Sequence, residues 1–88
     1  MQHYTAAQST EALPQWHCTN DHITRSFEFP DFSQCFAFIT RVALLAEAAK
    51  HHPRITTEYN KLSIQLCTHD AQAVTSKDIQ LAQQIDAL

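Results

Sequence analysis

Three histidines lie beside the predicted ends of helices and strands, where side chains from different elements can converge: His51, His52 and His69. Six histidines in a chain of 88 residues exceed what packing usually requires. Because an unperturbed imidazole has a pKa of about 6.5, neighbouring histidines can hold opposite protonation states at neutral pH. Such a group supplies a general acid and a general base without a metal ion. The three histidines therefore indicate a proton-transfer site.

Glu47 precedes His51 by four residues, which places both side chains on one face of a helix. The carboxylate can orient the imidazole and stabilise its protonated form, and the negative end of the helix dipole acts in the same direction. An ordinary surface ion pair that closes a helix would show the same spacing. Both interpretations of Glu47 and His51 stay open at this point.

The other polar candidates have structural interpretations. Three histidines without a partner pattern are assigned to the surface: His3, His17 and His22. Asp78 follows Thr75 by three residues, so it fits the last position of a capping box at the start of a helix. Trp16 is the one aromatic residue that we expect could flank a pocket, since it lies on a predicted strand near the N-terminal arm.

The first half of the chain predicts two strands and a helix. Residues 16–29 suit two short strands with a turn at residues 19–21. Asp31 fits a helix N-cap, and apolar residues follow at steps of three and four: Phe32, Phe36, Ile39, Ala43 and Ala46. Pro53 cannot continue a helix, so the helix must end at or just before His51 and His52.

The second half repeats this order. Residues 54–59 and 61–67 have strand patterns, and Asn60 lies where a tight hairpin turn is required. Thr75 opens a second helix with an apolar stripe formed by Ile79, Ala82, Ile85 and Leu88. The chain is expected to form one α+β domain over residues 1–88, in the order β-β-α-β-β-α. A four-stranded antiparallel sheet would carry the helices on one face, and the arm of residues 1–15 could add a further helix.

Composition excludes several classes of function. Six lysines and arginines against nine acidic residues give a net charge of −3, which argues against direct binding of nucleic acid. The chain has no glycine, so it lacks the phosphate-binding loops of nucleotide enzymes. Three widely spaced cysteines suggest reduced thiols and a cytoplasmic protein. Arg41 and Glu47 interrupt the most apolar stretch, so no membrane span is expected.

A longer motif joins the candidate residues. The positions Glu47, His51, His52, Pro53, Tyr59, His69 and Asp78 spell E-x3-H-H-P-x5-Y-x9-H-x8-D. This pattern resembles the signature of the pterin-4a-carbinolamine dehydratase family, and seven specified positions make it a demanding match. The resemblance extends through F-x-F-P-D-F at residues 27–32, T-H-D at residues 68–70 and D-I-x-L-A at residues 78–82. It covers residues 16–88 and barely includes the N-terminal arm.

The resemblance implies a hydro-lyase that converts a 4a-hydroxytetrahydropterin to the quinonoid dihydropterin and water, in support of tetrahydrobiopterin recycling. It implies catalysis by His51, His52 and His69, with Glu47 and Asp78 as orienting groups. The implied substrate-binding residues are Lys50, His51, His52, Cys67, Thr68, His69 and Asp70. No cofactor and no metal are implied. We assign proton transfer to His51 and His69, and substrate holding mainly to His52.

The sequence departs from the family pattern near the site. Lys50 stands where Asp is common, Arg54 and Ile55 stand where Glu and Trp are frequent, and Cys67 replaces a frequent Ser. These changes put substrate affinity in question. Family members associate, and a domain this small has unpaired strand edges, so a homodimer or homotetramer is expected.

Two other functions fit the same residues. Three histidines and a carboxylate could bind zinc, with a fourth position left open for water. A non-enzymatic dimerisation or interaction factor is the second alternative, because animal members of the resembling family also bind a homeodomain transcription factor. The intact His51, His52 and His69 favour catalysis over both.

Overall fold

The computed structural model describes residues 2–88, and it confirms the predicted α+β class. The elements in chain order are β1 (His3–Tyr4), α1 (Ala6–Ala12), β2 (His17–Cys18), β3 (Ile23–Glu28), α2 (Phe32–Ala49), β4 (Arg54–Glu58), β5 (Lys61–Leu66), β6 (Val74–Thr75) and α3 (Ser76–Asp86). The predicted order corresponds to β2, β3, α2, β4, β5 and α3. The helix α1 is the additional N-terminal helix. The short pair β1 and β6 forms a second sheet that the sequence analysis did not predict.

The main sheet has four antiparallel strands in the order β2-β3-β5-β4. Side chains on β5 alternate between two environments, as the two-residue period of a strand requires. Leu62, Ile64 and Leu66 are at most 2% exposed, whereas Ser63 and Gln65 on the opposite face are half-buried. Both long helices contribute to the same core cluster as the buried side chains of β5. The helices therefore cover one face of the sheet and leave the other open.

The residues of α2 that face the core are only partly those of the predicted apolar stripe. Its fully buried residues are Cys35, Val42 and Ala46, and those packed partly against the core are Phe38, Ile39 and Leu45. Phe32 and Phe36, which belong to the predicted stripe, are 51% and 53% exposed, so this part of the stripe does not face the core. Apolar residues occupy most of the circumference of this helix, and several stripes with a period of 3.6 residues therefore fit the sequence equally well. Only the packed structure distinguishes them.

The helix α2 is also strongly apolar. By length and composition alone α2 could cross a membrane, with 18 residues and a mean hydropathy of 1.3, although it contains Arg41 and Glu47. A core helix of a globular domain has the same properties, and α2 packs against the sheet. Its apolar character therefore does not require a membrane. Phe32, Phe36 and Leu44 nevertheless leave a large apolar surface exposed.

Asp86 links three distant parts of the chain near the end of α3. The indole N–H of Trp16 donates to Asp86 Oδ1 at 2.8 Å, and the Arg25 guanidinium lies 2.5 Å from the same oxygen. Trp16 is only 3% exposed and belongs to the core cluster. Its role is therefore to connect the N-terminal segment to α3, and the expectation that it could flank a pocket was wrong.

Candidate active site

A cleft of about 300 Å³ opens between the end of α2, the loop after β5 and the first turn of α3. Its lining residues are Lys50, His51, His52, Thr68, His69, Asp70 and Lys77. Six of the seven residues predicted from the sequence to bind substrate thus lie around one space. A larger hollow of about 490 Å³ lies on the open face of the sheet, but no histidine lines it. The chemistry of the lining, and not the size of the space, distinguishes the smaller cleft.

The end of α2 determines where the first two histidines point. Lys50 adopts the left-handed conformation, with φ 52° and ψ 41°, and it terminates the helix. The backbone N–H of His51 still donates to the carbonyl of Ala46 at 3.1 Å. Because the chain turns sharply at Lys50 and Pro53 then keeps it extended, His51 and His52 contact different partners. His51 reaches α3, and His52 lies against α2.

His51 is bound to a buried carboxylate. Its Nε2 lies 2.5 Å from Oδ1 of Asp78, whose side chain is fully buried, while the His51 side chain is 11% exposed. The other oxygen of Asp78 accepts from the Thr68 hydroxyl at 2.8 Å and from the Thr75 backbone N–H at 2.9 Å. Thr68 has one hydroxyl proton, so the Thr75 hydroxyl, 2.7 Å away, donates to Thr68. The donors around Asp78 therefore all point toward its two oxygens.

The contact with Asp78 determines which ring nitrogen of His51 is available to a substrate. With Nε2 donating to Asp78, Nδ1 is the ring nitrogen that remains for a substrate. The buried carboxylate fixes the orientation of the ring and compensates the positive charge that forms when Nδ1 accepts a proton. Asp78 thus both caps α3, as predicted, and orients a histidine of the cleft. The capping box and the site share one side chain.

The predicted contact between Glu47 and His51 was wrong. Glu47 Oε1 lies 2.5 Å from Nε2 of His52 instead. The spacing of four residues assumed that the helix continues to His51, whereas the left-handed Lys50 ends it one residue earlier. The side chains of His52 and Glu47 are 64% and 76% exposed, so solvent screens their interaction and it contributes little stability. Glu47 therefore contacts His52, and Asp78 contacts His51.

His69 faces the same cleft from the loop after β5, and its Nδ1 lies 3.8 Å from Sγ of Cys67. Cys67 itself does not line the cleft. It lines a neighbouring hollow that also borders His69 and His22. Burial raises the pKa of the Cys67 thiol, and the negative charge of Asp78 raises it further. Cys67 therefore stays a neutral thiol at neutral pH and is a poor nucleophile.

Sequence reasoning missed two contributors to the site. Lys77 lines the cleft from the first turn of α3, and Thr75 holds Thr68 and Asp78 through its hydroxyl and its backbone. The capping box had already placed Thr75 at the helix start, but nothing in its spacing indicated that this helix end faces the histidines. The available signal for Lys77 was its position one residue before Asp78.

No group of three or more histidine, cysteine or acidic side chains within residues 2–88 is arranged to hold a metal ion. Nε2 of His51 and Nε2 of His52 each contact a different carboxylate. The zinc-module alternative therefore has no preassembled ligand set in this part of the chain.

Comparisons with known proteins agree with the geometry. The family model described as pterin 4 alpha carbinolamine dehydratase matches residues 1–88. A relative from Synechococcus sp. (strain WH7803), with the name "Putative pterin-4-alpha-carbinolamine dehydratase", is 49% identical over 79 residues, which cover 90% of this chain and 85% of the relative. A relative of the same name from Rhizorhabdus wittichii is 48% identical, with 93% and 87% covered.

Solved structures give the same result. The crystal structure of a transcriptional coactivator/pterin dehydratase from Brucella melitensis superposes with a TM-score of 0.89 at 37% identity, and it covers 98% of this chain and 97% of that one. A pterin dehydratase-like RuBisCO assembly factor of the alpha-carboxysome has a TM-score of 0.67 at 22% identity over 82% of this chain and 83% of that one, so it shares the fold. By sequence and fold, the chain belongs to the pterin-4-alpha-carbinolamine dehydratase family.

Proposed function

We propose that the protein is a hydro-lyase that dehydrates a 4a-hydroxytetrahydropterin to the quinonoid dihydropterin. The observation that carries this proposal is the 2.5 Å contact between His51 and the buried Asp78 at the wall of a cleft that also contains His52 and His69. An imidazole oriented by a buried carboxylate is a typical general acid or base. Membership of the dehydratase family supports the same reaction.

The reaction needs two proton transfers. A general acid donates a proton to the departing 4a-hydroxyl as the C4a–O bond breaks. A general base removes the proton on N5 as the N5–H bond breaks. A C4a=N5 double bond forms, and water leaves. His51 and His69 carry these two transfers, because His51 is bound to Asp78 and His69 lines the same cleft from the loop after β5. His52, held by Glu47, contacts the substrate.

The cleft needs no resident cofactor for this chemistry, since the two proton transfers involve no change of oxidation state. We propose that the product returns to a tetrahydrobiopterin-type cycle of cofactor reduction. Three unpaired thiols, at Cys18, Cys35 and Cys67, support a cytoplasmic location, where such thiols stay reduced.

Turnover by chelated protein tests the proposal. We expect the purified protein, after exhaustive dialysis against EDTA, to accelerate formation of the quinonoid dihydropterin from a 4a-hydroxytetrahydropterin at neutral pH. Absorbance of the product follows the rate, and the uncatalysed dehydration is the reference. A rate equal to the uncatalysed one, or activity that returns only with added zinc, would contradict the proposal.

An interaction factor is the second candidate, because Phe32, Phe36 and Leu44 are 51%, 53% and 68% exposed on α2. The solved relative from Brucella melitensis carries the words transcriptional coactivator beside pterin dehydratase in its name. If this were the sole function, the chelated protein would show no turnover. The assay above therefore distinguishes the two candidates.

We expect the protein to form a dimer or a tetramer in solution. β4 is an edge strand of the main sheet with unpaired backbone groups, and the exposed apolar residues of α2 offer a second contact surface. Analytical ultracentrifugation at micromolar concentration measures the assembly. The double substitution Phe36→Asp and Leu44→Asp should lower the mass of the assembly in solution, whereas Gln83→Asp on α3 should leave that mass unchanged. A monomeric unmodified protein would contradict the expectation.

A further inference from the structure

Two lysines line the candidate active site from different helices. Lys50 ends α2, and Lys77 lies in the first turn of α3. Asp70 is the single carboxylate among the residues that line the cleft. Glu47 and Asp78 are not among the lining residues, and each is paired with a histidine of the cleft. The lining itself therefore carries two lysines against one carboxylate, in a chain whose net charge is −3.

Both lysines occupy positions that favour other residues. Lys50 has φ 52°, in the left-handed region that glycine or asparagine adopts more easily at a helix end. Lys77 places a cation at the positive end of a helix dipole, where Asp or Glu is favoured. Departures from local preference are expected where function requires them. The charge of Lys50 suits the C-terminal end of α2, so the lysine in the first turn of α3 is the departure in charge, and it indicates that a positive charge is used at this cleft.

A groove continues from the cleft along α3. Lys77 and His51 also border a second space of about 270 Å³, whose other lining residues are Ala49, Gln80, Leu81 and Gln84. Lys77, Gln80 and Gln84 follow one another at steps of three and four residues, so they share one face of the helix. A substituent that leaves the cleft beside Lys77 therefore meets a polar surface of side-chain amides.

We infer that the preferred substrate is a reduced pterin with an anionic substituent, a phosphate or a carboxylate, that binds between Lys50 and Lys77. This inference rests on the proposed function. The pterin ring lies against His51, His52 and His69, and the substituent passes Lys77 toward Gln80. A charge-assisted contact to each lysine makes the anionic pterin bind more tightly than a neutral one with the same ring.

The matched probes are 7,8-dihydroneopterin and its 3′-phosphate, which differ only in the phosphate. Titration calorimetry at low ionic strength should show that the phosphate binds about tenfold more tightly, with the advantage reduced in 0.5 M salt. 7,8-Dihydrofolate tests a carboxylate on the same ring. A greater affinity for dihydrofolate than for the phosphate would identify the carboxylate as the preferred anion.

The substitutions Lys77→Gln and Lys50→Gln should each lower the ratio of the two neopterin affinities about threefold or more, and Lys61→Gln, on the open face of the sheet, should leave the ratio unchanged. Circular dichroism verifies folding of each variant. Equal affinity of the unmodified protein for the neutral and phosphorylated pterin would overturn the inference and leave the proposed function standing. Absence of binding by both pterins would also overturn the inference, and the turnover assay decides the proposed function separately.

Discussion

Replacing His51 with alanine is expected to lower kcat for carbinolamine dehydration by more than about tenfold, because general acid or base catalysis typically contributes about 10²- to 10⁴-fold. The side chain is held by Asp78 at 2.5 Å and leaves Nδ1 for the substrate. Alanine removes the proton-transferring atom and leaves the carboxylate without its partner. Steady-state kinetics with the 4a-hydroxytetrahydropterin measures the loss, and circular dichroism verifies that the variant is folded.

His69→Ala should show a loss of similar size, since His69 faces the same cleft. If the two imidazoles act on one substrate, the double variant should lose much less than the product of the two single losses. His17→Ala is the matched control, because His17 is exposed on β2 and does not line the cleft. Full activity in folded His51→Ala and His69→Ala would remove both residues from the mechanism and favour an interaction role.

The sequence was sufficient for the order of elements because the strongest signals are local. Asp31 accepts from the backbone N–H of Gln34 at 2.8 Å and begins α2, as its N-cap position predicted. Pro53 placed the end of that helix correctly, and the Thr75 and Asp78 capping box begins α3. Each of these signals depends on residues within a few positions of one another. Such signals need no knowledge of packing.

The failures concern contacts that packing decides. Glu47 has two histidines within five residues, and only the left-handed turn at Lys50 determines that it contacts His52. The exposed surface of α2 was misplaced for a similar reason, since an apolar helix has no single polar face to orient it. The strands β1 and β6 have two residues each, which is too short for an alternating pattern.

The site residues likewise divide into those with a local signal in the sequence and those whose position is decided by packing. The convergence of His51, His52 and His69 on one cleft could be predicted because they lie beside the ends of helices and strands. Lys77 was missed because a lysine in the first turn of a helix has no pattern of its own. Cys67 was placed in the cleft with its neighbours, but it lines the adjacent hollow while Thr68 contacts Asp78. Successive residues of an extended segment point to opposite sides, and this alternation accounts for the difference.

Asp78→Asn is expected to have the second large effect, on stability and on turnover together. The carboxylate is fully buried and accepts from Thr68, the Thr75 backbone and His51. An asparagine of the same size has one acceptor oxygen and an NH2 group, which must face one of these donors. Leaving a buried hydrogen-bond donor without an acceptor costs about 1–3 kcal/mol, so the free energy of unfolding should fall by that order.

The turnover of Asp78→Asn separates an orienting role from a structural one. At a temperature where the variant is folded, kcat should be at least about tenfold lower, because the amide no longer fixes the His51 ring or compensates its charge. Urea denaturation measures the stability, and Asp70→Asn, an exposed carboxylate of the same cleft, should change it by less than about 0.5 kcal/mol. A folded Asp78→Asn protein with unchanged kcat and pH profile would show that Asp78 caps α3 without acting on His51. The orientation of His51 would then depend on the end of α2 alone.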